Sequence, residues 1–314
     1  MSTIPMRPLG FSEIVDGAVQ LYRRDFGLYY LIVLVCSLPS YVLTVLWNPA
    51  ELLESAEAFD SAADPTVALE QMGGLLGQMG FLFLISLVSL AFSFFASLSL
   101  TVAMHARIEE RPSSLGAAYK GALPHLVSAA GASIVAFLIF LVVFVVVWVA
   151  MMFSFVGVSV ATGNPWLAVL AFGIMVVALL MVTSLWMGAT FGVFPAVVIE
   201  GRSAMDALGR SFSLCRGGWL KVIGIMVVAT IVSWAPTVAV ATFTGTWDLF
   251  LSPGEVGTIS PTRQWVLNTA GLIVGPLTTP FLLGCIMMLF HDRRVRSEGY
   301  DLETLADALG ADAT

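Results

Sequence analysis

The chain has 314 residues, of which 58% are hydrophobic and 11% charged, with a formal charge of −7. A soluble domain carries roughly 25% charged residues, and a water-soluble core of this size could not absorb so much apolar surface. Lipid must serve as part of the solvent. A surface for nucleic acid, which needs clustered Lys and Arg, is excluded.

Asp, Glu, Lys and Arg are absent from five stretches, 26–50, 71–106, 121–199, 222–247 and 264–291. About 20 apolar residues cross the hydrocarbon core, so four of the stretches suit one crossing each. The third must hold two, divided at the turn signal Thr162-Gly163-Asn164-Pro165. The expected fold is therefore all-α and polytopic, with transmembrane helices near 27–47, 75–104, 126–158, 166–195, 219–243 and 265–290. Its transmembrane domain occupies 1–298, and 299–314 form a short cytoplasmic tail with a turn of helix at 301–309.

Short amphipathic helices are expected before the first, third and fifth crossings. The first starts at Ser12 and places Ile14, Val15, Ala18, Val19, Leu21 and Tyr22 on one side. The second starts at Ser113 or Ser114 and carries Leu115, Ala118, Tyr119 and Ala122. The third starts at Ser203 and carries Met205, Leu208 and Phe212 before Gly217-Gly218-Trp219. Capping side chains followed by apolar spacings of three and four are the signature, and headgroup-layer helices suit the pattern. The three units, each an interfacial helix and a hairpin, read as a weak repeat. Between the first two crossings, 48–73 is expected to hold a short helix after Asn48-Pro49, broken at Asp64-Pro65.

Basic residues are retained in the cytoplasm. With six crossings, 1–26, 105–125, 196–221 and 291–314 share one side and hold 13 of the 14 Lys and Arg; only Arg263 lies opposite. Both termini are therefore expected inside the cell. The outer segments hold eight acids against that one base, so the formal charge falls on the outer face. No cleavable signal peptide is expected, because the first apolar run begins only after Asp25. Cys36, Cys215 and Cys285 are odd in number and widely spaced, which argues against a disulfide framework. Trp47, Trp166, Trp219, Trp247 and Trp265 fall at helix ends, where amphipathic rings prefer to sit.

Residues with chemistry are few. Mid-membrane charges, the usual mark of ion-coupled transport, are missing from the spans. Ser86, Ser89, Ser93 and Ser97, with the glycine pairs Gly188/Gly192 and Gly271/Gly275, read as helix-packing faces; a polar path along the serines is the alternative. Pro39, Pro195, Pro236, Pro276 and Pro280 interrupt spans, and Gly275-Pro276 with Pro280 is the best candidate for a broken helix. His105, His125 and His291 lie at helix ends without metal-ligand spacing, and no catalytic constellation is visible. No metal or cofactor is expected. The candidate site is a belt of charge at the cytoplasmic boundary: Glu13, Asp16, Arg23, Glu200, Arg210, Asp292 and Arg293, with Arg24, Arg294 and Arg296 beside them. These either pair and lock the interfacial helices or contact lipid phosphates.

The opening Arg7-Pro8-Leu9-Gly10-Phe11-Ser12-Glu13-Ile14-Val15-Asp16-Gly17-Ala18, the segment Pro195 to Gly201 continuing to Arg210-Ser211, and the ending Asp292-Arg293-Arg294-Val295-Arg296 carry a family resemblance. They resemble actinobacterial-type polytopic membrane proteins similar to the membrane domain of glycerophosphoryl diester phosphodiesterase. In those enzymes a separate soluble barrel performs the metal-dependent hydrolysis, and this chain resembles only the membrane part. The resemblance implies a non-enzymatic protein of the bacterial plasma membrane, an accessory or scaffold in envelope or lipid processes. Its partners would be membrane lipids and another membrane protein. A transporter or flippase for a neutral or lipidic substrate is the alternative.

Overall fold

The computed structural model describes residues 8–47, 55, 58–59, 64–162, 164–245 and 261–298, and among these it is helical without a strand. In chain order come α1 (Phe11–Arg24), α2 (Phe26–Leu46), α3 (Pro65–Ile108), α4 (Leu115–Ala122), a 3-10 turn (Leu123–His125) and α5 (Leu126–Thr162). They are followed by α6 (Pro165–Thr190), α7 (Val193–Glu200), α8 (Ala204–Arg216), α9 (Trp219–Phe243) and α10 (Pro261–Glu298). Six helical stretches among the described residues are long and apolar enough to cross a membrane. Their outer surfaces are apolar: Val142, Val146 and Phe153 of α5 are 63%, 62% and 75% exposed, an arrangement that water would penalise and hydrocarbon would not.

Helix limits follow the local chemistry. Asn164 caps α6 by accepting from the Trp166 N–H, with Pro165 at the first helical position, where its missing N–H costs nothing. Asp64 does the same for α3, its carboxylate accepting from the backbone and hydroxyl of Thr66, and Ser114 caps α4 through the Ala117 N–H. Short helices are present near all three expected positions as α1, α4 and α8, but of the serines expected to cap them only Ser114 does so: Ser12 lies inside α1, which begins at Phe11, and Ser203 makes no capping hydrogen bond. Much of the 48–73 segment, Trp247 and the tail beyond residue 298 lie outside the described residues.

The proline expectation needs correction. α10 runs unbroken through Pro276 and Pro280, α2 through Pro39 and α9 through Pro236. Each proline deletes one ladder bond, but a membrane helix lies in a solvent with no competing hydrogen-bond partners, so the rest of the ladder holds. The break falls in the fourth crossing instead, where α6 stops at Thr190 and α7 begins at Val193. Pro195 lies in the first turn of α7, a position tolerant of proline. α10 also runs eight residues past its expected end, carrying Asp292, Arg293 and Arg296 on a continuous helix.

The described residues form two compact units. One comprises 8–24, 101–162, 164–231 and 282–298; the other comprises 25–47, 55, 58–59, 64–100, 232–245 and 261–281. In the first, α5 and α6 pack along each other, with the Phe140 and Trp186 rings 5.8 Å apart, and α8 packs against α5, α6 and α7. The apolar side of α1 buries Ile14, Ala18 and Leu21. A Cβ on Gly17 would stand 2.4 Å from the Met288 methyl, and one on Gly284 would stand 3.4 Å from the Ala18 carbonyl. These glycines let α1 and α10 approach closely. Gly188 and Gly192 pack in the same way, against Ile223 and Phe290, whereas a Cβ at Gly271 or Gly275 would meet nothing within 4 Å. The second glycine pair is thus not a tightly packed face.

Candidate functional site at the basic helix ends

α7 and α8 are joined by Gly201-Arg202-Ser203. Gly201 takes φ +61° to end α7, a left-handed conformation that glycine adopts without steric cost. The sharp turn brings α8 back beside the end of α7. It sets the Arg210 guanidinium against the Glu200 carboxylate, with Nε 2.9 Å from Oε2 and Nη2 2.9 Å from Oε1. Arg202 reaches the same carboxylate at 2.5 Å and Arg294 of α10 at 3.3 Å. The Glu200 side chain is 10% exposed and that of Arg210 14%, so the pair sits in partly desolvated surroundings where a fork-shaped contact is strong.

A second cluster centres on Asp292, whose side chain is fully buried. Its carboxylate accepts from the Leu9 backbone N–H at 2.8 Å, Lys221 Nζ at 2.7 Å and Arg296 Nε at 2.9 Å. The Leu9 carbonyl in turn accepts from Lys221 and Arg296, at 2.7 and 2.8 Å. One carboxylate and the backbone N–H and carbonyl of one residue thereby tie the start of the chain to α9 and α10. The neighbouring Arg293 is 5% exposed and donates from Nε to the Leu214 carbonyl. Its guanidinium lies over Gly217-Gly218, where a Cβ on either residue would stand 2.6 Å away.

Of the seven belt residues read from the sequence, Glu200 and Arg210 are brought together, and Asp292 and Arg293 are buried with partners. Glu13 turns back to accept from the Gly10 N–H at 2.6 Å. Asp16 and Arg23 are exposed and make no ion pair among the described residues, so Arg23 is not the partner of Glu200. Lys221 and Arg202 were not among the seven. Lys221 reads as one more interfacial cation after Trp219, and nothing in its surroundings in sequence indicates a partner 71 residues away.

The pairing at Glu200 has a measurable consequence. In a double-mutant cycle on thermal melting in detergent, Glu200→Gln and Arg210→Gln should couple by about 1–2 kcal/mol, above the 0–1 kcal/mol of an exposed pair. Glu200→Gln and Arg23→Gln should be additive. Additivity at Arg210 would show that the contact contributes nothing to stability.

The serines of α3 behave differently from one another. Ser86 and Ser97 donate to carbonyls one turn back, the usual resolution for a hydroxyl in an apolar helix. Ser89 instead lines a groove of about 310 Å³ in the second unit, with Ser37, Ser40, Tyr41 and Thr44 of α2 and Asn268 and Gly271 of α10. No lining residue is ionisable as a carboxylate or cation. Among the described residues no group of three or more His, Cys, Asp or Glu could hold a metal ion; His105 has Glu109 at 3.6 Å, one helical turn on.

No curated protein and no solved structure matches the chain. A family model described as a domain of unknown function, DUF7847, matches residues 48–293, a region that takes in five of the six long apolar helices and both charge clusters apart from Leu9, Arg294 and Arg296. The chain belongs to that family.

Proposed function

We propose that the chain is a non-enzymatic integral membrane protein of the bacterial plasma membrane, with both termini in the cytoplasm. In this reading it acts as an accessory or scaffold in envelope or lipid processes, and α1, α4 and α8 lie in the inner headgroup layer. The observation that carries the reading is the commitment of the charged groups. Glu200 and Asp292 are saturated by cations and a backbone N–H that hold helices together, an arrangement suited to a rigid platform. The resemblance to the membrane part of a phosphodiesterase favours a role in envelope or lipid processes. Purified protein should show no metal-dependent hydrolysis of glycerophosphodiesters above a detergent blank. Turnover that survives repeated purification would sink the proposal.

Orientation rests on the 13-to-1 basic asymmetry. Cysteines placed at Ser55 and Ser260 should react with a membrane-impermeant thiol reagent in intact cells, while those at Gly116 and Ser297 should react only after the membrane is opened. The background should be low, because Cys36, Cys215 and Cys285 are buried and burial pushes the Cys215 thiol up to about 11. Labelling of position 116 from outside would reverse the topology.

The groove favours a second reading, a transporter or flippase for a neutral or lipidic substrate. In proteoliposomes, this reading expects the protein to accelerate exchange of a neutral fluorescent lipid between leaflets.

A further inference from the structure

The groove in the second unit has an unusual hydrogen-bond inventory for an apolar helical surface. Ser37 and Thr44 donate to the Val33 and Ser40 carbonyls, and Ser40 donates to the Ser37 carbonyl. Thr269 donates to the Trp265 carbonyl, so in the 3.0 Å contact between Tyr41 and Thr269 the phenol is the donor. The protons of these α2 hydroxyls are therefore committed, and what they offer the groove is oxygen lone pairs.

Two lining groups are in the opposite position. Asn268 spends its carbonyl oxygen on Gln264 Nε2 at 3.0 Å, and its NH2 group makes no hydrogen bond among the described residues. Ser89 makes no hydrogen bond among the described residues, unlike Ser86 one turn earlier. In hydrocarbon an unmet donor costs free energy that it would recover from any acceptor. The groove thus pairs a row of acceptors on α2 with two donors on α3 and α10, and it carries no charge. An ionised ligand would lose its hydration without gaining a counter-charge.

We propose that this groove binds the polar part of an uncharged, membrane-dissolved lipid bearing both a free hydroxyl and a carbonyl, as a diacylglycerol does. The hydroxyl donates to the lone pairs of Ser37, Ser40, Tyr41 or Thr44, and the carbonyl accepts from Asn268 and Ser89. Gly271 leaves the wall open, since a Cβ there would meet nothing within 4 Å, and the acyl chains run out along the apolar helix surfaces. This deepens the transport reading by naming the substrate class, but binding is measured without transport. A failed leaflet-exchange assay therefore overturns that reading alone.

The test uses the full chain in phosphatidylcholine nanodiscs with a diazirine-bearing dioctanoylglycerol, followed by peptide mapping of the adducts. Labels should concentrate on 37–44 and 265–275. Unlabelled dioctanoylglycerol should compete, trioctanoylglycerol, which lacks the hydroxyl, should compete at least about fivefold less well, and dioctanoyl phosphatidic acid should be similarly weak. Asn268→Ala and Ser89→Ala should each weaken labelling about fivefold, the factor expected for one neutral hydrogen bond, while Ser86→Ala leaves it unchanged. The proposal is overturned by labels spread evenly over the helices, by equal competition from trioctanoylglycerol or the phosphatidic acid, or by competition from free glycerol without dioctanoylglycerol. The competitor series on the unmodified protein decides the matter even if a variant fails to fold.

Discussion

Asp292→Ala should lower the stability of the protein in detergent by about 3 kcal/mol, the largest loss expected for a single side chain. The carboxylate is fully buried and accepts three hydrogen bonds, two of them from cations. Removing one member of a buried ionic cluster costs about 3–5 kcal/mol, because the remaining charges stay desolvated without compensation. The lower end applies here, since the Lys221 and Arg296 side chains are 22% and 38% exposed and can turn partly to water. The change also releases the backbone of Leu9, so amide exchange in residues 9–14 should accelerate even where the helices still hold. Asp292→Asn should cost less, because an amide oxygen can still accept from Leu9. In an Asp292→Asn background, Lys221→Met should add little, for the lysine has already lost its counter-charge. An unchanged melting temperature for Asp292→Ala, with unchanged exchange at the chain start, would show that the cluster does not anchor that segment.

The second large effect is expected at Ser211. Between α6 and α7 the hydrogen-bond ladder stops, leaving the Ala189 carbonyl and the Gly192 N–H inside the protein. The Ser211 hydroxyl serves both, donating to Ala189 at 2.7 Å and accepting from Gly192 at 3.0 Å. Ser211 is fully buried, so water is poorly placed to substitute. Ser211→Ala keeps the volume of α8 almost unchanged yet strands two backbone groups, each costing about 1–3 kcal/mol when unmet. A loss of about 2–3 kcal/mol is expected, measured as a fall in melting temperature, with Ser213→Ala on the exposed side of α8 as the control. If Ser211→Ala melts like the control, the broken helix obtains its hydrogen bonds elsewhere. Gly192→Ala should also destabilise, more mildly, because its new methyl would press to 3.2 Å from the Phe290 ring.

These two sites differ in how visible they are before folding. Asp292 belongs to a run, Asp292-Arg293-Arg294-Val295-Arg296, whose charges at the end of a long apolar stretch mark it at once. Its partners Lys221 and the Leu9 backbone lie 71 and 283 residues away, and no local pattern links them. Ser211 carries no such mark. It is one of two serines on a short helix, and its importance comes wholly from the ladder break placed beside it. That break was expected at Pro276 because proline removes a donor, yet one missing bond leaves the long helix α10 intact.

Uncharged stretches and local patterns along the chain sufficed for the number of long apolar helices and for the short helices beside them. Each of these depends on runs of residues adjacent in sequence: an uncharged stretch of sufficient length, a capping side chain before an apolar period, a turn dipeptide. Only the tertiary structure decided that Glu200 takes Arg210, Arg202 and Arg294 rather than Arg23, that Asp292 holds the start of the chain, and that Ser89 and Asn268 line one groove. Apolar side chains are interchangeable to lipid, so the helical period constrains the rotation of a lipid-embedded helix only weakly. The choice of which polar group meets which is made by close approach, through Gly17 and Gly284, by the left-handed turn at Gly201, and by the need of every buried donor and acceptor for a partner.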